Sequence, residues 1–301
     1  MPRPSARARD HLALAVRREV ERDPERVRTR LIACGRPPWA SAVDVEVRYG
    51  GLAWPRGGDD DELGIAYEAP ADDADDPRAL DVSSVRIGAL GVVPLYVDEA
   101  GVITGHWRAS SIDVLVERLA LEAPGPWPGY IAVELQPAAG PRLADALDLP
   151  PVVEASDRFE AWWASDALRL RHRLPDATVP DALDVTYDRA MAGSVAAAAR
   201  VIEAALALDP ATGFAVYPWL RPTPAGPPVA PLPATAVRCR ARARDVLAAR
   251  DTGWVEVRHD AGVWQIEITR GDVPWLRLTE AGVDVATEPR AGAAPAPPAR
   301  P

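Results

Sequence analysis

The 301-residue sequence contains no lysine and no asparagine. The missing lysine removes the phosphate-binding Lys of P-loop proteins, the Schiff-base Lys of pyridoxal enzymes and the nucleotide-binding Lys of kinases, so three large enzyme classes drop out. Alanine, arginine, proline and glycine abound instead, the mark of a GC-rich genome, and arginine content is therefore weak evidence of function. Cysteine is scarce too. Cys34 and Cys239 lie far apart and outside any C-x-x-C or Cys/His cluster, which argues against a disulfide framework and a zinc site. The four histidines show neither H-E-x-x-H nor i,i+4 spacing. No serine stands in a G-x-S-x-G elbow, and Gly88 and Gly91 lack the third glycine of a dinucleotide fingerprint. No apolar run approaches the roughly 18 residues of a membrane span, and the charged first thirty residues exclude a signal-peptide core. A cytoplasmic chain is expected, with no cofactor, no metal site and no catalytic residue that the pattern identifies.

Hydrophobic residues at 48% and charged residues at 26% are a globular balance, and the length suits two domains. The formal charge of −10 opposes nucleic-acid binding, because phosphates are repelled at the ranges that steer association. It favours a basic partner or simply solubility.

Along the chain, residues 6–34 read as helix in two pieces, with Asp23-Pro24-Glu25 opening the second. Trp39 to Leu52 is ambiguous, since Val43, Val45, Val47 and Tyr49 alternate as in a strand while Trp39, Val43 and Val47 keep helical spacing. Strands follow at 63–68, 85–90, 92–97 and 102–107, with Gly101 supplying a turn, and then a helix on Ile112, Leu115, Val116 and Leu119. The Pro/Gly cluster at 122–128 marks a domain boundary. Beyond it come a strand at 130–135, a helix from Asp157 carrying Phe159, Trp162 and Trp163, and an Ala-rich helix from about Asp188 to Leu208. A proline-dense connection at 218–233, a helix at 237–249 and an antiparallel meander over 254–286 complete the second half. The expected class is α+β: a domain over 1–128, a second α+β domain over 129–287 ending in the meander, and a disordered Ala/Pro-rich tail over 288–301. An acid-Ala-Gly-Val unit recurs at 99–102, 260–263 and 280–283, and repeated turn chemistry explains it better than a duplicated domain.

Two acidic runs stand out, Asp59-Asp60-Asp61-Glu62 and Asp72-Asp73 with Asp75-Asp76. Unpaired they stay in solvent. With the neighbouring Trp39, Tyr49 and Trp54 they are candidate partner contacts, although Tyr49 and Trp54 read equally well as core.

Tyr49-Gly50-Gly51-Leu52 after an amphipathic stretch, Arg86-Ile87-Gly88, and the strand Pro94 to Val97 with its turn Asp98-Glu99-Ala100-Gly101 resemble the SMI1/KNR4 (SUKH) family, as does the following helix over 112–119. The resemblance spans about residues 24–121. It implies a compact α+β domain, makes Trp39–Arg48 a helix, and brings no cofactor or catalytic residue. Many bacterial members look like immunity proteins that bind and neutralise toxin domains, often nucleases or deaminases. An acidic face that mimics phosphate suits such a partner. Two rivals stand beside this reading: a hydrolase or transferase with its site near Trp162, Trp163 and His172, and a structural partner docking through 218–233.

Overall fold

The structure, a computed structural model, describes residues 4–17, 23–33, 35, 37–55, 62–65, 84–90, 93–105, 108–122, 129–174, 188–220, 237–245, 250–260, 263–270, 273–279 and 282–285. The class is α+β, and the chain forms two compact units. One comprises Met1–Gly125 with Val152–Ala161, the other Pro126–Pro151 with Trp162–Pro301. The division at Gly125 falls inside the Pro/Gly cluster, but residues 152–161 return to the first unit, so the units are not two successive stretches of chain.

The first unit contains α1 (Ala6–Ala13), β1 (Val16–Arg17), α2 (Pro24–Ala33), α3 (Ala40–Tyr49), β2 (Leu52–Pro55), β3 (Glu62–Ile65), β4 (Ser84–Leu90), β5 (Val93–Asp98), β6 (Ile103–Thr104) and α4 (Ile112–Glu122). Its six strands pair antiparallel in chain order. Ser5 caps α1 by accepting from the Ala8 N–H, and Pro24 begins α2 where its missing N–H costs nothing. The ambiguous valine stretch is helical: Val43 and Val45 are buried with Trp39, Ala42 and Tyr49, while Val47 faces outward. The two glycines that end α3 have different jobs. Gly51 takes φ +71°, and a Cβ on Gly50 would lie 2.5 Å from the Glu46 carbonyl oxygen. Register slips by one residue between Arg86 and Gly88, placing a bulge at Ile87 of β4. The core gathers Leu95, Val97, Ile103, Ile112, Leu115 and Leu119 with the buried faces of α2 and α3.

The second unit contains β7 (Gly129–Gln136), α5 (Gly140–Ala146), β8 (Glu160–Ala164, whose first two residues belong to the first unit), β9 (Leu168–Arg173), β10 (Asp188–Ala192), α6 (Val195–Leu208), β11 (Gly213–Leu220), β12 (Val237–Asp245), β13 (Arg250–Asp260), β14 (Val263–Arg270), β15 (Val273–Thr279) and β16 (Gly282–Val285). The sheet runs 16-15-14-13-12-11-7-10-9-8, and β11 meets β12 in parallel. Helix α6 packs on β7, β10, β12, β13 and β14. Its alanines allow that close approach: Ala197, Ala198, Ala199 and Ala205 are buried with Val195, Val201 and Ile202.

Three expectations change. The helix from Asp157 is instead a 3-10 turn, Val153–Ala155, followed by β8. Strand alternation sends the adjacent Trp162 and Trp163 to opposite faces, where Trp162 is fully buried and Trp163 packs on the core. The Ala-rich helix begins only at Val195; Asp188–Ala192 is β10, and Ser194 caps α6 through the Ala197 N–H. The 237–249 helix is strand β12 over 237–245, where Arg238, Arg240, Arg242 and Arg244 alternate with Val237, Cys239, Ala241 and Ala243, a period of two. The meander is present as β13–β16. The acid-Ala-Gly-Val unit at 99–102 joins the antiparallel strands β5 and β6, whereas those at 260–263 and 280–283 include residues outside the described ones. Residues 218–220 belong to β11, while 221–233 and the 288–301 tail lie outside the described residues. Among the described residues no helix is long and apolar enough to cross a membrane.

Candidate functional site

The candidate contacts of the first unit separate into two groups. Asp59, Asp60, Asp61, Asp72, Asp73, Asp75 and Asp76 lie outside the described residues. Glu62 and Trp54 fall on the paired strands β3 and β2, Glu62 opposite Pro55 and Trp54 opposite Leu63. Trp39 and Tyr49 are core residues, exposed by only 7% and 4%, so neither ring is available as a surface contact. They stand at the two ends of α3, and both belong to the core of the unit.

Tyr49 also closes a polar cluster. Its hydroxyl donates to Asp113 Oδ1, and Arg48 donates to both Asp113 oxygens at 2.7 and 3.0 Å and to Asp44 at 2.9 Å. Burial, and then the bond to Asp113, push the Tyr49 phenol far above its ordinary value. It therefore remains a neutral donor. Other carboxylates of this unit are similarly occupied. Glu46 accepts from the Asp23 N–H at 2.7 Å, tying the start of α2 to α3, and Glu117 accepts from the Ser5 N–H and hydroxyl at 2.7 and 2.6 Å. Tyr49→Phe should lower stability by about 1–3 kcal/mol, the range for a hydrogen bond to a charged group. Urea unfolding checks this, and an unchanged midpoint would mean that Arg48 alone satisfies Asp113.

The densest polar cluster surrounds Arg118, a residue not singled out above and only 1% exposed at its side chain. Its Nε donates to the Ala155 carbonyl at 2.9 Å, Nη1 to the Arg108 carbonyl, and Nη2 to Asp157 at 2.5 Å, with Glu160 3.5 Å away. Asp157 in turn accepts from the N–H groups of Ser110, Phe159 and Glu160. Burial alone would raise the Asp157 carboxyl, but the Arg118 guanidinium and the Ser110 and Phe159 N–H donors hold it below its ordinary value. This cluster fastens the returning segment to α4. On the outer side of the same unit, α2 and α3 flank an open groove of about 590 Å³ lined by Arg28, Pro38, Ala40, Val43, Asp44 and Val47, among others.

In the second unit the rival constellation does not converge. His172 shares its strand face with Leu168 and Leu170, whereas Arg169 and Arg171 take the other face, where the Arg171 guanidinium lies 5.9 Å from the Trp162 ring. Glu134 and Arg189 join that charged face at 3.9 Å. Burial raises the Glu134 carboxyl, with Arg189 and Arg171 opposing it. Among the described residues no group of three or more His, Cys, Asp or Glu is placed to hold a metal ion. No family model, curated protein or solved structure matches this chain.

Proposed function

We propose that the first unit is a non-catalytic protein-binding module of the SUKH kind, an immunity-type element that neutralises a basic toxin domain. The observation that carries the reading is where the resembling residues fall. Helix α3, the Tyr49-Gly50-Gly51-Leu52 turn, the bulged β4, the β5–β6 turn and α4 follow one another within a single compact unit. The Tyr49–Leu52 and Asp98–Gly101 motifs occupy junctions between elements, and Arg86-Ile87-Gly88 makes the bulge within β4, all places where backbone geometry constrains sequence. The chain's charge of −10 supports a basic partner, and the runs at 59–62 and 72–76 supply the steering charge.

Affinity purification of the tagged full chain from its own cells tests the reading. A stoichiometric partner of basic isoelectric point is expected, released by high salt and inactive as a toxin while bound. Recovery of no stoichiometric partner, or of an acidic one indifferent to salt, would remove the basis for the proposal.

A further inference from the structure

Helices α2 and α3 of the first unit wall the open groove, and each wall carries one charge, of opposite sign. Arg28 stands on α2 and Asp44 on α3. A neighbour on the same helix orients each of them: Arg28 donates to Glu25 one turn earlier, and Asp44 accepts from Arg48 one turn later. Beside these charges the surface is apolar. Pro38, Ala40, Val43 and Val47 line the groove, and Val47 is 39% exposed. Ile32, one turn beyond Arg28 on the same face of α2, is 61% exposed. The core-facing sides of the two helices bury Val27, Leu31, Val43 and Val45, so Ile32 and Val47 are aliphatic side chains that the fold itself does not use. Grouped beside one groove with a charged rim, they have the composition of an interaction surface.

We propose that this groove is an interface between two copies of the chain, related by a two-fold axis along the groove. Such an axis lays α2 of one copy on α3 of the other, so Arg28 meets Asp44 of the second copy and Asp44 meets its Arg28, one contact made twice. Charge complementarity selects this occupant. A strongly basic partner would be drawn to Asp44 and repelled by Arg28, and a strongly acidic one the reverse. A surface carrying both signs in exchanged order satisfies both walls at once, and the two-fold supplies that surface by symmetry. Withdrawing Ile32 and Val47 from water drives the association, while the paired charges fix its register. This interface is separate from the steering charge of the acidic runs and does not depend on it.

Sedimentation equilibrium of the full chain, over a concentration series reaching about 1 mM and so high enough to populate even a weak dimer, tests the interface. A reversible monomer–dimer equilibrium is expected. Asp44→Arg sets like charges against each other twice and should raise the dimer dissociation constant by about 10-fold or more, as should Arg28→Asp. Combining Arg28→Asp with Asp44→Arg exchanges the two signs and should recover most of the loss. Glu154→Arg, the same change of charge at an exposed residue of the returning segment, should leave the equilibrium unchanged. Ile32→Ser and Val47→Ser should weaken the dimer with the fold intact by circular dichroism, since both side chains are exposed, and they carry the test if a charge variant does not fold. A chain that stays monomeric throughout the series, a dimer indifferent to both single reversals, or a double variant no better than the singles would overturn the proposal. So would a monomeric wild-type chain that loses a stoichiometric partner on Asp44→Arg, because the groove would then belong to that partner.

Discussion

Arg118→Ala should destabilise the first unit by about 3–5 kcal/mol, the cost of removing one partner from a buried ion pair. Asp157 and Glu160, with side chains 6% and 8% exposed, would be left without their cation, and the Ala155 and Arg108 carbonyls would each lose a donor. Arg118→Lys should fall between, because an ammonium cannot reach two carbonyls and two carboxylates with one planar fork. Urea unfolding of the full chain measures both variants, and a loss below about 1 kcal/mol for Arg118→Ala would show that the returning segment is held by packing instead. The same geometry gives an expectation for fragments. A piece ending at Gly125 keeps Arg118 but lacks Ala155, Asp157 and Glu160, so it should be unstable alone and gain stability from a peptide covering residues 150–163.

Acid probes this cluster from the other side. The folded-state pKa of Asp157 is depressed, so its contribution is fully present above the unfolded carboxyl value of about 3.9 and is lost as pH falls through the lower folded value. Wild-type stability should therefore decline in strong acid by more than that of Arg118→Ala, where the depression has lost its cation.

Much of the first unit was legible because its signals are local. Asp23-Pro24 announces a helix start, Gly101 a hairpin turn, and Leu115 with Leu119 an apolar helix face. The valine stretch of α3 was not decidable by period, since its alternation and its helical spacing coexist in the same residues. In the second half, strand alternation separates Trp162 from Trp163 and the arginines of β12 from their apolar neighbours, where a helix was expected. The polar clusters were the least legible. Arg118 stands in the apolar stripe of α4 between Leu115 and Leu121, a charge among buried neighbours that was a usable signal. Apart from the Arg108 carbonyl, its partners lie 37 to 42 residues away across a whole excursion of chain, and only folding brings them together. His172 and Asp188 are likewise 16 residues apart and meet only because β9 and β10 pair.

Neutralising Asp59–Glu62 and Asp72–Asp76 to Ser or Gln should change partner association far more than stability. Exposed charges contribute only about 0–1 kcal/mol each to folding, and relieving mutual repulsion offsets part of that. Electrostatic steering, by contrast, raises association rates by about 10- to 1,000-fold, and it weakens once the Debye length shortens to about 8 Å at physiological ionic strength. Dissociation should change less, since steering acts before contact. The most direct measurement is the stopped-flow association rate of the purified partner with wild-type and neutralised chains across a salt series. The account predicts a wild-type rate that falls steeply with salt and a neutralised rate at least about 10-fold lower at low salt and nearly flat. Equal rates for the two chains, or a wild-type rate indifferent to salt, would contradict it.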